Sequence, residues 1–186
     1  ELRSSEVRLP SPAFWGEDRP WLLHGLSMLL AVPLFLLFDQ ISATSLLSRI
    51  EPFSLLLACA LLIPIHELLH AIAHPGAGLS AGTVMGFDRN LARPYCLYTR
   101  PYSRERVIIV ALAPFVLLTL LPLVAFVIWE SRPLLAYVAT LNAGASAIDV
   151  ASAAYAWKYL RPGEMIGING GRVVLVGNRT LPEKLP

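Results

Sequence analysis

The sequence predicts an all-α membrane protein of about four transmembrane helices, with a small β-hairpin-like cytoplasmic loop and a short C-terminal tail. Two observations lead to this prediction. Of the 186 residues, 55% are hydrophobic and only 15% are charged, whereas a soluble domain carries about 25% charged residues. The apolar residues also collect in four runs, each near the roughly 20 residues that cross a bilayer. The runs are Trp21–Phe38, Phe53–Ala73, Val107–Trp129 and Pro133–Trp157.

The four runs divide the chain into a polar N-terminal arm (residues 1–20), one four-helix membrane domain (21–157) and a C-terminal tail (158–186). A basic loop, residues 76–106, follows the second run. Basic residues accumulate on the cytoplasmic side of membrane proteins, and 13 of the 15 lysines and arginines lie in the arm, this loop and the tail. We therefore expect a multi-pass protein of the cell membrane with both termini in the cytoplasm. The formal net charge of +2 does not indicate nucleic-acid binding.

Short polar segments in the basic loop and in the tail have weak strand character. In each place, two stretches with β-branched or aromatic residues flank a group of turn-forming residues, which is typical of a hairpin. The predicted hairpins are Leu79–Phe87 with Pro94–Thr99 around Asp88-Arg89-Asn90, and Met165–Ile168 with Arg172–Val176 around Asn169-Gly170-Gly171.

The second apolar run contains the sequence His66-Glu67-Leu68-Leu69-His70. On a helix, these two histidines lie one turn apart on one face, so both imidazoles can bind one zinc ion with the glutamate beside them as general base. Ionisable residues inside a spanning helix are costly and mark functional sites. The alternative is a buried His/Glu hydrogen-bond cluster that joins helices. We favour zinc because three such residues occur together at the spacing of metal ligands.

A catalytic zinc ion takes a third protein ligand and leaves one position open. In the fourth run, Asn142, Ser146 and Asp149 follow one another at spacings of four and three, and therefore share one helix face. Small residues around them allow another helix to approach closely. A lone carboxylate at that depth needs a partner, so we predict Asp149 as the third ligand. His74 is the rival ligand, but it directly precedes Pro75, where the helix should end.

The expected depths of the two helices agree with this pairing. His66 lies eight residues before His74, near the cytoplasmic end of its helix, and Asp149 lies nine residues before Lys158, at the cytoplasmic end of its own. At 1.5 Å per residue, both side chains lie roughly 12–14 Å below the membrane surface. The two predicted ligands should therefore meet at one level.

A His-Glu-Leu-Leu-His helix followed by a later helix with a carboxylate resembles the site-2-protease class of intramembrane zinc proteases. More closely, the chain resembles a small family of bacterial membrane proteins described as zincin peptidases. In that family a short basic loop follows the zinc helix, and a later helix carries a polar Asn…Asp stretch. The resemblance covers about Phe53–Trp157. It implies a bacterial inner-membrane protein in which His66, His70 and Asp149 bind Zn²⁺ and Glu67 is the catalytic base.

These features predict an intramembrane zinc metalloprotease that hydrolyses peptide bonds in or near membrane-spanning substrates. Asn142 is a candidate for binding the substrate backbone or the oxyanion. The hairpin of the basic loop is a candidate for holding an extended substrate at a strand edge, and its alternative is a loop that only fixes topology. Two other functions stay open: a zinc-binding membrane scaffold without protease activity, and a zinc hydrolase of lipid amides. The expected partners are the bilayer and a transmembrane or membrane-associated peptide.

Overall fold

The structure is a computed structural model that describes residues 7–8, 20–41, 52–88, 93–129, 133–169 and 172–176. It is mostly helical, and its helices lie where the four apolar runs predict them. The elements follow in the order β1 (Val7–Arg8), α1 (Pro20–Ile41), α2 (Pro52–Ala73), β2 (Thr83–Asp88), β3 (Arg93–Tyr98), β4 (Tyr102–Ser103), α3 (Arg104–Phe115), a π-helical turn (Val116–Leu120), α4 (Leu121–Ile128), α5 (Pro133–Ala145), α6 (Ala147–Tyr159), β5 (Met165–Asn169) and β6 (Arg172–Val176).

Two helical segments are long and apolar enough to cross a membrane, namely α2 and the continuous 25 residues from α3 to α4. Helices α5 and α6 make a third candidate span only as a pair, because the chain bends by 52° between them. The side chains of α1 are described over Gly25–Ile41 alone, and this apolar stretch is shorter than a full span. Among the described residues the structure thus shows two or three candidate spans, and the four that the apolar runs predict are not confirmed.

The bend between α5 and α6 lies at Ser146, whose backbone has φ −77° and ψ 1°. The sequence gives no proline there as a cause. Pro114 and Pro122, which are natural candidates for kinks, lie instead within one continuous span, with the π-helical turn between them. Because Ser146 separates Asn142 from Asp149, the bend changes the common face that these residues would share on a straight helix.

Helix α5 forms the centre of the bundle and packs against α1, α2 and α4. Its small residues allow close approach: Ala136 and Ala139 are fully buried, and a Cβ atom added at Gly144 would lie 3.5 Å from a side chain of α1. Phe38 and Phe126 pack edge to face against this layer, with ring centroids 4.8 Å apart. The central helix that precedes Asp149 is therefore held on several sides.

Two arginines at the start of α3 stabilise the ends of neighbouring helices. Arg104 Nη2 donates to the Trp157 carbonyl at 3.2 Å, near the end of α6, and its guanidinium lies 4.5 Å from the Trp157 ring centroid. Arg106 Nη1 donates to the carbonyl of Ala73, the last residue of α2, at 3.3 Å. The last carbonyls of a helix lack intrahelical donors. Helices α2 and α6 therefore end at one level, beside the start of α3.

The four-stranded sheet, in the order β1-β6-β5-β4, joins strands from three separate parts of the chain. Strands β5 and β6 confirm the predicted hairpin of the tail, whose turn residues 170–171 lie outside the described residues. Strand β1 belongs to the N-terminal arm and β4 to the end of the basic loop, and the sequence predicts neither. The sheet brings the described strands of the arm, the loop and the tail together at one end of the bundle. Which side of the membrane this end faces stays a prediction.

Strands β2 and β3 confirm the hairpin predicted in the basic loop, in a register from Thr83↔Tyr98 to Asp88↔Arg93. Residues 89–92, which include most of the predicted turn, lie outside the described residues. Gly86 is opposite Tyr95, and a Cβ atom at Gly86 would lie only 2.5 Å from the Tyr95 ring. Glycine at this position therefore lets the tyrosine ring lie across the hairpin.

Candidate metal centre

Among the described residues, one group of side chains can hold a metal ion, and it consists of His66, His70 and Asp149. The two histidines project from one face of α2 and are 7% and 8% exposed. Their Nε2 atoms lie 3.2 Å apart. Asp149, in the first turn of α6, places Oδ2 3.2 Å from His66 Nε2 and 3.6 Å from His70 Nε2. The structure thus brings together the three residues that the sequence predicts as ligands.

The spacing of these three atoms fits a tetrahedral zinc ion. Bonds from zinc to nitrogen or to carboxylate oxygen are about 2.0–2.2 Å long, so two ligand atoms of a tetrahedron lie about 3.3–3.6 Å apart. The observed separations of 3.2, 3.2 and 3.6 Å agree with this range to within about 0.1 Å. Two imidazoles and one carboxylate also form a donor set that zinc hydrolases use. The residues present therefore fit zinc.

A hydrogen bond on the far side of its ring determines which nitrogen of His70 faces the metal position. His70 Nδ1 lies 2.9 Å from the carbonyl oxygen of Val110 in α3. A carbonyl oxygen only accepts, so Nδ1 carries a proton, and in the neutral imidazole that binds a metal ion Nε2 keeps its lone pair. Zinc-binding histidines are generally oriented by such a bond. His70 is therefore held in the tautomer that a metal ion needs.

Asn142 orients His66 in the same way. Its Oδ1 lies 2.9 Å from His66 Nδ1. Its amide nitrogen, Nδ2, donates to Pro114 O at 2.9 Å and lies 3.0 Å from Thr119 Oγ1 and 3.1 Å from Ser146 Oγ. Because the Pro114 carbonyl only accepts, Nδ2 must face it and Oδ1 must face His66. His66 therefore donates from Nδ1, and its neutral imidazole keeps the Nε2 lone pair for a metal ion.

This placement changes the interpretation of Asn142. The sequence makes it a candidate for contact with substrate, but the side chain is fully buried behind His66, with both ends of its amide hydrogen-bonded. The geometry supports a role in orienting His66 and gives no support to contact with substrate. Sequence reasoning missed the partners Thr119, Pro114 and Val110. Two features of the sequence point to these partners: Thr119 is a polar residue in a long apolar run, and Pro114 lies four residues after Val110.

A cleft of about 430 Å³ opens onto the three predicted ligands. Glu67 lines it and is half-buried. Residues 94–97 of β3 border the same cleft, as do Ala145 and Ile148 near the bend of the fourth run. The metal position, a carboxylate and open space for a substrate therefore share one cavity, which is the arrangement that metal-assisted hydrolysis needs.

His74, the rival third ligand, lies outside the metal-binding group. It is 2% exposed, and its Nδ1 lies 3.8 Å from Cys96 Sγ. Burial, and secondarily the nearby His70, lowers the pKa of His74 below its usual value. Burial, and secondarily the charge of Glu67, raises the pKa of the Cys96 thiol to about 11. His74 and Cys96 are therefore both uncharged at neutral pH, and they contact each other, with Cys96 bordering the cleft.

Comparison with known proteins gives one family match. A family described as "putative zincin peptidase" matches residues 59–161, which is more than half of the 186-residue chain. The matched segment contains both histidines, Glu67, Asp149, the β2–β3 hairpin and the residues that orient the histidines. No curated protein and no solved structure gives a significant match.

Proposed function

Because the chain belongs to this zincin peptidase family, we propose that it is a zinc metallopeptidase that hydrolyses peptide bonds in or near membrane-spanning substrates. The observation that carries the proposal is the convergence of His66 Nε2, His70 Nε2 and Asp149 Oδ2, 3.2–3.6 Å apart, in a cleft that Glu67 also lines. When bound, zinc supplies Lewis acidity, which polarises a carbonyl group and lowers the pKa of a water molecule to about 7.

The protein's own residues position the reactants and move the proton. The carboxylate of Glu67 takes the proton from the attacking water and delivers it to the amine of the leaving peptide. The bonds from His70 Nδ1 to Val110 and from His66 Nδ1 to Asn142 hold the imidazoles in place. Since these bonds exist before any substrate arrives, the metal position is preorganised.

The depth of the site supports action inside the membrane. His66 and Glu67 lie in α2, a candidate span, and Asp149 lies in the bent pair that makes the third candidate span. His66 precedes the end of α2 at Ala73 by seven residues, which corresponds to about 10 Å along the helix. A peptide bond must therefore enter the bundle to reach the site, and this favours substrates that are already in the membrane.

Strand β3 supports the proposal that a substrate binds in extended form. Pro94, Tyr95, Cys96 and Leu97 all border the cleft, although successive side chains of a strand point to opposite faces. Four consecutive residues can border one cavity only if the edge of the strand, and not one of its faces, lies against that cavity. This is therefore the arrangement of β3. Among the described residues, β3 pairs only with β2, so its second edge has no partner strand. A transmembrane substrate that unwinds needs new backbone partners, and a strand edge supplies them.

The register identifies the backbone groups of this edge. The Thr99 N–H donates to Gly82 O at 2.8 Å, so these residues form a hydrogen-bonded pair. Hydrogen-bonded and non-hydrogen-bonded pairs alternate along an antiparallel hairpin. The opposed residues Met85 and Cys96 therefore form a non-hydrogen-bonded pair, and their backbone groups point away from the partner strand. The N–H and carbonyl of Cys96 are thus the central groups of the edge that faces the cleft.

Replacing Cys96 with proline is expected to lower cleavage of a membrane peptide about three- to tenfold, because it removes one backbone donor worth roughly 1 kcal/mol. Zinc content should not change. The Cys96→Ala variant keeps the N–H and should cleave at nearly the wild-type rate. Met85→Pro makes the same change at the opposite edge of the hairpin and is the matched control. Equal losses in Cys96→Pro and Met85→Pro, or no loss in either, would contradict substrate binding along β3.

Removal of metal tests the proposed function directly. Purified protein in lipid vesicles should cleave a co-reconstituted transmembrane peptide, lose this activity with a zinc chelator, and regain it when zinc is added. Mass spectrometry of the products locates the cleaved bond. A protein that binds zinc but cleaves only lipid amides, or cleaves nothing, would overturn the peptidase proposal and favour a lipid hydrolase or a zinc-binding scaffold.

A further inference from the structure

We infer that Pro114 is a positioning residue of the metal centre, because its missing N–H leaves the Val110 carbonyl free to orient His70. The inference depends on the proposed metal site and adds to it a residue of α3 that touches neither metal nor substrate. It concerns the tautomer of the histidines, and therefore metal binding before any peptide is cleaved.

The first step follows from helix geometry. In an α-helix, the N–H of a residue donates to the carbonyl of the residue four positions earlier. The residue four positions after Val110 is Pro114, which has no N–H. The Val110 carbonyl therefore lacks its helical donor, although both residues are buried. His70 Nδ1 occupies that place at 2.9 Å.

The second step concerns the carbonyl of Pro114 itself. It accepts from Asn142 Nδ2 at 2.9 Å, and this contact turns Asn142 Oδ1 toward His66. Pro114 thus acts on both histidines. Its missing N–H leaves the Val110 carbonyl to His70, and its own carbonyl holds Asn142 in the orientation that binds His66.

The two helices match in spacing as well as in chemistry. His66 and His70 are one turn apart on α2, and the carbonyls of Val110 and Pro114 are one turn apart on α3, which packs against α2. Each carbonyl serves one histidine, directly for His70 and through Asn142 for His66. A proline that only kinked the helix would not need this register, and α3 continues through Pro114 without a break in the span.

The consequence for the metal is specific. With an N–H restored at position 114, the Val110 carbonyl gains a helical donor, and the His70 Nδ1–H must share it or lose it. Within a membrane-spanning bundle there is little water to replace that bond. His70 then loses the constraint that keeps the Nε2 lone pair on the metal side, as happens when outer partners of zinc ligands are removed.

The test compares Pro114→Ala with Pro122→Ala, which restores an N–H at the other proline of the same continuous span. Zinc affinity is measured by chelator competition on the full chain in lipid nanodiscs, and the histidine ring nitrogens are followed by ¹⁵N NMR with zinc bound. Pro114→Ala should lower zinc affinity about 10- to 100-fold. It should also shift the His70 Nδ1–H signal while that of His66 stays in place. Pro122→Ala should change neither measurement.

A further variant isolates the N–H from the ring of proline. Lactic acid, the α-hydroxy analogue of alanine, introduced at position 114 makes a backbone ester without an N–H, so it should restore the zinc affinity that Pro114→Ala loses. Equal affinity in wild type and Pro114→Ala, or an equally low affinity with the ester, would overturn the inference. If Pro114→Ala does not fold, zinc bound through His70 Nδ1 in the wild-type spectrum would overturn it as well. A wild-type protein that binds no zinc would instead refute the proposed metal site.

Discussion

Replacing His66 or His70 with alanine is expected to remove zinc from the protein and to abolish peptide hydrolysis. Wild-type protein should contain about one zinc per chain. Either substitution leaves two of the three donors that converge 3.2–3.6 Å apart. The affinity should fall more than about 100-fold, since the loss of an outer partner alone costs 10- to 100-fold. Metal analysis and chelator competition measure this directly.

The third ligand is tested by Asp149→Asn against His74→Ala. The amide of asparagine keeps the size of the side chain but loses the charge that the metal ion attracts, so zinc binding and activity should both fall. His74 is the matched control, because it is another buried histidine that follows the same helix and contacts Cys96 instead of the metal-binding group. Full zinc in Asp149→Asn together with zinc loss in His74→Ala would reverse the assignment.

The candidate ligands could be predicted from the sequence because their arrangement depends on helix periodicity. Spacing alone places His66 and His70 on one face of α2. Counting residues from the ends of the predicted helices was enough to bring Asp149 to the same level, and the structure places its carboxylate 3.2 Å from His66 Nε2. Counting residues from the helix ends gives the right depth because α2 and α6 end at one level, where Arg106 and Arg104 donate hydrogen bonds to carbonyls of their last turns.

The network behind the ligands was less predictable, because it depends on local departures from a regular helix. The bend at Ser146 occurs without a proline to indicate it. It separates Asn142 from Asp149, so one residue lies behind His66 and the other lies in front of it. A straight helix would place both residues on one face, as their spacing predicts.

The two sheets illustrate the same limit. The strands of both hairpins carry β-branched or aromatic residues next to turn-forming residues, so their sequences predict them. Strands β1 and β4 contain two residues each, which is too short for any periodic pattern. They form only because β6 and β5 lie beside them in the folded chain. Hydropathy likewise does not show where a long apolar run bends, as the fourth run does at Ser146.

Replacing Glu67 with glutamine is expected to lower the rate of peptide cleavage about 10²- to 10⁴-fold while zinc stays bound. Glutamine keeps the size of the side chain and its capacity for hydrogen bonds, but it does not accept the proton of the attacking water. Glu67 lines the cleft and is not one of the three residues that converge on the metal position. The change should therefore appear in the rate constant for cleavage, with zinc affinity within about twofold of wild type.

Glu67→Asp separates the loss of basicity from the loss of geometry. Aspartate remains a base but withdraws the carboxylate by one methylene, so a variant with intermediate activity is expected if the group transfers a proton. A base that acts across a distance of one hydrogen bond is sensitive to such a displacement. If Glu67 only stabilised the fold, glutamine would be tolerated better than aspartate, because it preserves length and hydrogen bonding. Near-wild-type cleavage by Glu67→Gln with zinc fully bound would thus remove Glu67 from the mechanism and leave the metal site intact.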